Sequence, residues 1–196
     1  RALVYQLYEN NGVIKRGDID HIVKLISAEE RKKLWGMGIK IGRYHVYLPK
    51  MLKPKAVAFR IALWKLYYEL SKQENAPKSG LNFIKSKPYN RKFLLLCGFE
   101  NFKNFYIRID ILEKLFIKIL SKSSKNKFKI DAEMMNLLGC SKEDFFQLME
   151  YMNYKKDKKD EETYLFMGEI KKKKRVIREV KNTENPFSKL KELNIK

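Results

Sequence analysis

Turn signals interrupt this chain so often that it can only fold as a series of short elements. Asn11-Gly12, Gly36 and Gly38, Pro49 and Pro54, the polar stretch from Ser71 to Gly80, Gly98 and Gly139 each break the pattern. The longest helical stretch they leave runs from 54 to about 70. No apolar run approaches the roughly 20 residues needed to cross a bilayer, which argues against a membrane partner. With 44% apolar and 13% aromatic residues, the 196-residue chain can still bury one good core or two small ones.

Between the breaks, spacing predicts the elements. Leu3, Leu7 and Tyr8 mark a helix over 2–10. Asp18 is positioned to cap a helix ending at Ile26, and Ser27-Ala-Glu-Glu30 reads as a capping box opening a third helix. From Ile39 to Leu48 the period shortens, with Ile41, Tyr44, Val46 and Leu48 on a common face, so an extended segment is expected. Pro54 suits the first turn of a helix whose stripe is Val57, Ile61, Trp64 and Tyr68, with Arg60 elsewhere. Beyond the 71–80 linker come a short helix over 91–97 and a strand over 104–109. A helix opens at Asp110 and Glu113, which are helix-start carboxylates rather than a catalytic pair. Two further helices, 131–138 and 141–152, meet at Gly139 and are followed by a charged hairpin.

The fold expected is mainly α (α+β). Residues 1–70 form a basic helical module with short strands, 71–80 a linker, 81–168 a winged-helix-like three-helix module, and 169–196 a basic tail. The helix over 141–152 carries Glu143, Asp144 and Glu150 against Lys142, so it is a poor reader of a DNA groove and a candidate surface for a protein partner.

Charge narrows the function. The net charge is +20, but Lys, Asn, Ile, Phe and Tyr are all abundant, as an A+T-rich genome would give, so only clustering counts. From Arg31 to Lys72 there are eleven Lys or Arg and one acid, Glu69. Cations interleaved with aromatics suit a phosphate backbone and its bases. Arg43, Lys50, Lys53, Lys55 and Arg60 are the candidate phosphate contacts, with Tyr44 and Tyr47 as candidate exposed stacking partners. No P-loop, nucleophile elbow or His-Glu-x-x-His occurs, so no active site is expected in these residues. Neither Cys97 and Cys140 nor His21 and His45 have metal-ligand spacing, and the cysteines read as free thiols of a reducing cytoplasm.

The segment Gly38-Ile-Lys-Ile-Gly-Arg-Tyr-His-Val-Tyr-Leu-Pro-Lys-Met-Leu-Lys-Pro-Lys-Ala56, with Arg60 and Leu63-Trp64, resembles the region downstream of the motor in alphaproteobacterial Suv3-like superfamily 2 helicases. Cys97-Gly-Phe99, Tyr106-Ile-Arg-Ile-Asp-Ile-Leu-Glu113, Met135-Asn-Leu-Leu-Gly-Cys-Ser141 and Asn185-Pro-Phe-Ser-Lys-Leu190 follow in the family's order, and the likeness begins at Arg1. It implies the C-terminal accessory region of an ATP-dependent RNA helicase, with DNA as the less favoured substrate. ATP and Mg would belong to the parent motor, expected before Arg1, and no cofactor to this chain. Two alternatives stand beside it: a protein-interaction module docking a nuclease or ribosome partner, and a free-standing nucleic-acid-binding protein.

Overall fold

The computed structural model describes residues 1–67, 76–85, 90–124, 127–157 and 162–165. Those residues form eight α-helices and three small antiparallel sheets, a mixed α+β fold. The expected tail, Tyr68 and the first half of the expected linker lie outside the described residues.

The three sheets belong to three successive runs of one course. The first run is α1 (Ala2–Glu9), β1 (Val13–Lys15), a 3-10 turn, α2 (Asp20–Leu25), α3 (Ala28–Gly36), β2 (Lys40–Ile41) and β3 (His45–Tyr47). The second, after a 3-10 turn at Pro49–Leu52, is α4 (Pro54–Tyr67), β4 (Phe83–Lys85), α5 (Arg91–Leu96), β5 (Phe99–Phe102) and β6 (Phe105–Arg108). The third is α6 (Ile109–Lys122), β7 (Lys127–Lys129), α7 (Ala132–Leu138), α8 (Lys142–Tyr151), β8 (Lys155–Lys156) and β9 (Thr163–Leu165). In each sheet the last strand of the run lies between the other two: β1-β3-β2, β4-β6-β5 and β7-β9-β8.

The correspondence extends to single hydrogen bonds. The central cross-strand pairs are Ile14 with Val46, Ile84 with Tyr106, and Phe128 with Tyr164. Each helix before the hairpin ends alike: Met37 N–H donates to Lys33 C=O, Cys97 to Phe93, and Met152 to Leu148. The next residue is left-handed in all three, Gly38 at φ +86°, Gly98 at +85° and Asn153 at +64°, the conformation that stops a helix and turns it into a strand. Arg16 N–H donates to Tyr44 C=O as Ile130 donates to Glu162, while Leu48 donates to Gly12 as Arg108 donates to Asn82.

Three core clusters follow the runs, with Phe105 and Ile107 of the second run built into the third. Leu3, Leu7, Ile14, Ile19, Val23, Ile39 and Val46 fill the first. Ile61, Phe93, Leu94, Phe99 and Tyr106 fill the second, with Trp64 against Phe93 at 5.2 Å, so α4 and α5 share a core across the 71–80 segment. The third is the largest and most aromatic, with Phe128, Phe145, Tyr154 and Tyr164 around Leu112, Leu115 and Ile119. Val13, Tyr47 and Ile109 join the runs where they meet.

Caps follow the sequence in part. Ser27 and Glu30 form the expected box, and Asp131 and Ser141 cap α7 and α8, each worth about 1 kcal/mol. Asp18 caps nothing: a 3-10 turn fills Arg16–Ile19, and Asp20 pairs with Lys24 instead. The extended segment over 39–48 is a hairpin with both faces covered. Val46 enters the first core, while His45 and Tyr47 are buried on the opposite side.

Candidate nucleic-acid interface

The cationic stretch is built around the turn between β2 and β3. Its amides converge: Arg43, Tyr44 and His45 N–H donate to the Glu113 carboxylate at 2.7, 2.8 and 2.8 Å. Successive amides of this kind form a concave anion site, here filled by a side chain from the start of α6. Glu113 therefore does not cap its own helix, which has no side-chain cap; Asp110 holds the Arg108 guanidinium at 2.6 Å. The carboxylate sits so close that a Cβ at Gly42 would stand 2.3 Å from Glu113 Cδ.

The rest of the clamp is a buried ion network. His45 Nε2 lies 2.6 Å from Glu100 Oε2, and Lys15 Nζ lies 3.0 Å from Glu100 Oε1. His45 and Lys15 come from the first run, Glu100 from the second and Glu113 from the third. His45, Glu100 and Glu113 are 0%, 3% and 5% exposed. Burial alone would neutralise all three, yet His45 is held above its ordinary pKa by the two carboxylates, and both carboxylates are held below theirs by hydrogen bonds to His45, Lys15 and the turn amides. This His–Glu–Glu arrangement looks catalytic by composition. Its burial excludes a substrate, so it is a three-way structural clamp.

The clamp sorts the candidate contacts. Lys50, Lys53 and Lys55 are exposed on the 3-10 turn and the start of α4. Arg43 is half-buried, its guanidinium 5.8 Å from the centre of the Phe116 ring. Tyr44 is drawn into the third run, with its hydroxyl 3.3 Å from that of Tyr154 and its ring edge-on to Phe116. Burial and the Tyr154 hydroxyl raise its pKa.

Two expectations are corrected. Tyr47 is 4% exposed and cannot stack on a base, because β3 is covered by the first run on one side and by Ile109 on the other. Burial, with Glu113 and Asp110 nearby, pushes its hydroxyl up to about 12. Arg60 is 5% exposed and holds the carbonyls of Asn11 and Met51 at 2.7 Å each. It ties α4 to the end of the first run rather than facing a phosphate.

Sequence reasoning missed three residues. Lys32, Lys33 and Lys40 are exposed and belong to the same acid-free stretch, since residues 31–67 contain no Asp or Glu. The missing acids were the signal, although they mark a region rather than a side chain. In the third run, by contrast, Lys118 pairs with Glu133, Lys122 with Asp131, Lys127 with Asp157, Lys142 with Glu162 and Lys156 with Glu150. Neither cysteine forms a disulfide, and burial pushes the Cys140 thiol up to about 11, an unreactive value.

No family model matches the chain, and neither the curated proteins nor the solved structures contain a match to it. Among the described residues no helix is long and apolar enough to cross a membrane, and no cluster of His, Cys, Asp or Glu could hold a metal ion.

Proposed function

We propose that this chain is the nucleic-acid-holding accessory region of an ATP-dependent RNA helicase, with DNA as the less favoured strand. Motor chemistry, ATP and Mg are assigned to none of its residues. The observation that carries the reading is a set of exposed lysines, Lys32, Lys33, Lys40, Lys50, Lys53 and Lys55, in a stretch of sequence, 31–67, without Asp or Glu, set against a third run whose acids pair with its lysines. The order helix, strand, helix, helix, strand, strand, with the last strand central, supports a winged-helix-like reading of the first and third runs. A cytoplasmic setting accords with two cysteines that form no disulfide.

If those six lysines meet single-stranded phosphates, log K falls with log salt at a slope of about −4. Filter binding of the chain to a labelled RNA across salt concentrations measures it. Affinity that ignores salt, or no binding at low salt, contradicts the proposal.

One observation favours a second reading, a protein-docking module. Phe59, Leu63, Leu66 and Tyr67 are exposed along α4, and Leu63 and Tyr67 also edge a cavity of about 460 Å³. That face, rather than the acidic α8 whose Asp144 pairs with Lys85 at 2.8 Å, is where a partner would sit. Leu63→Lys with Leu66→Lys abolishing capture of a nuclease or ribosome partner while sparing RNA affinity would favour this reading.

A further inference from the structure

The three runs place one helix in the same position, immediately before the hairpin, and use it differently. α5 buries Phe93, Leu94 and Leu96, and α8 buries Phe145, Leu148 and Met149. Their counterpart α3 buries nothing. It is nevertheless firmly held. The Ser27–Glu30 box fixes its start, Arg31 Nη2 reaches back to Val23 C=O at 3.1 Å, and Leu34 packs on the first core. A helix fixed this well, with Leu34 turned to the core and no residue fully buried, is free to present its other side chains outward.

What it presents is specific. Trp35 is 72% exposed. Lys32 lies one turn before it on the same face, Lys33 adjoins that face, and Lys40 follows on β2. Next to the ring, Gly36 offers no side chain, and a Cβ there would meet nothing within 4 Å. An open indole with a lysine one turn away matches what a stacked base and its phosphate require. A groove of duplex is a worse fit. Groove-reading helices point their N-terminal residues at the bases, and here those are Glu29 and Glu30.

We infer that α3 is a single-strand contact in which a base stacks on Trp35 while Lys32 and Lys33 take the flanking phosphates. This rests on the nucleic-acid reading above and sharpens it: the stacking residue is Trp35, not Tyr47, and the ligand is single-stranded.

The test uses the full chain carrying Trp64→Phe, which leaves Trp35 as its only tryptophan. An oligouridylate of about a dozen nucleotides is titrated in at low salt while indole fluorescence and filter binding are followed, with a duplex of equal length for comparison. The expected results are quenching on binding, preference for the single strand, affinity about 5- to 100-fold weaker in Trp35→Ala, and recovery of most of that loss in Trp35→Phe. Far-ultraviolet circular dichroism checks that each variant is folded. Binding that survives Trp35→Ala unchanged, or that favours duplex, overturns the inference and leaves the wider reading standing. No binding by the parent chain overturns both.

Discussion

The first and third runs share one hydrogen-bond plan and differ in nearly everything hung on it. The first fills its core with Leu, Ile and Val, whereas the third adds Phe, Tyr and Met to its Leu and Ile. The third places acids against its lysines across its surface, whereas the first has lysines and no acid from Arg31 to its end. The plan itself needs only a few things at fixed places: a left-handed residue after the third helix, a Ser cap before it, and an apolar pair at the centre of the sheet. Gly38 and Asn153 meet the first need, Ser27 and Ser141 the second, Ile14–Val46 and Phe128–Tyr164 the third. Everything else is available for function. Fold is carried by those shared positions, and the proposed binding by what differs around them.

The largest effect that would break this comparison lies in the clamp that joins the runs. Glu113→Ala leaves the Arg43, Tyr44 and His45 amides without their acceptor and His45 with Glu100 alone, and should cost about 3–5 kcal/mol, read as a drop in denaturant midpoint. Mutating Asp157, which pairs with Lys127 near the corresponding turn of the third run, should cost about 1 kcal/mol or less, as partly exposed pairs do. Equal costs would mean that the clamp is not what orders the first run's turn.

Core fill gives the next effect. Phe128→Ala should cost about 3–5 kcal/mol, and Ile14→Val, at the equivalent register position, about 0.5–1.5. Gly42→Ala should cost about 1–3 kcal/mol, because its Cβ would overlap Glu113; Gly36→Ala, with open space around it, should be neutral or slightly stabilising.

The smaller effect is on pH dependence. His45, faced by Glu100, Glu113 and, through Glu100, Lys15, is held above its ordinary pKa, so its stabilisation is complete below about 6.5 and lost as pH rises through the raised value. Glu100 and Glu113 are held below theirs, so their stabilisation is present above about 4.5 and lost as pH falls through the depressed values. Thermal midpoints across pH should show both limbs. His45→Gln should flatten the alkaline limb and keep the acid one from Glu113; a steep alkaline limb that survives in His45→Gln would contradict the assignment.

Much of the fold was legible from spacing alone, and the reason is local. Capping boxes, Gly turns and helix stripes involve residues close in sequence, so α1, α3, α5, α7 and α8 could be placed from neighbours. The clamp was not legible. Glu113 acts 70 positions from Arg43, and the sequence gives it the look of a helix-start carboxylate. Arg60 and Tyr47 were misplaced for the same reason, since each is buried by residues of another run. The threefold plan also hid itself, because its copies share turn geometry rather than residue identity: Val13-Ile-Lys15, Phe83-Ile-Lys85 and Lys127-Phe-Lys129 are equivalent strands. Among the proposed site residues, the acid-free stretch pointed to Lys50, Lys53 and Lys55, while Trp35 emerged only once α3 could be compared with α5 and α8.

The division of charge between the runs is tested most directly by two triple neutralisations of equal charge. One variant carries Lys50→Gln, Lys53→Gln and Lys55→Gln. The other carries Lys129→Gln, Lys142→Gln and Lys156→Gln, three lysines that face acids in the third run. RNA affinity measured across salt should fall in the first variant, with its salt slope shallower by about 2, and stay at the parent value in the second. Equal losses in both would mean that the excess positive charge acts diffusely and that the acid-free stretch holds no strand.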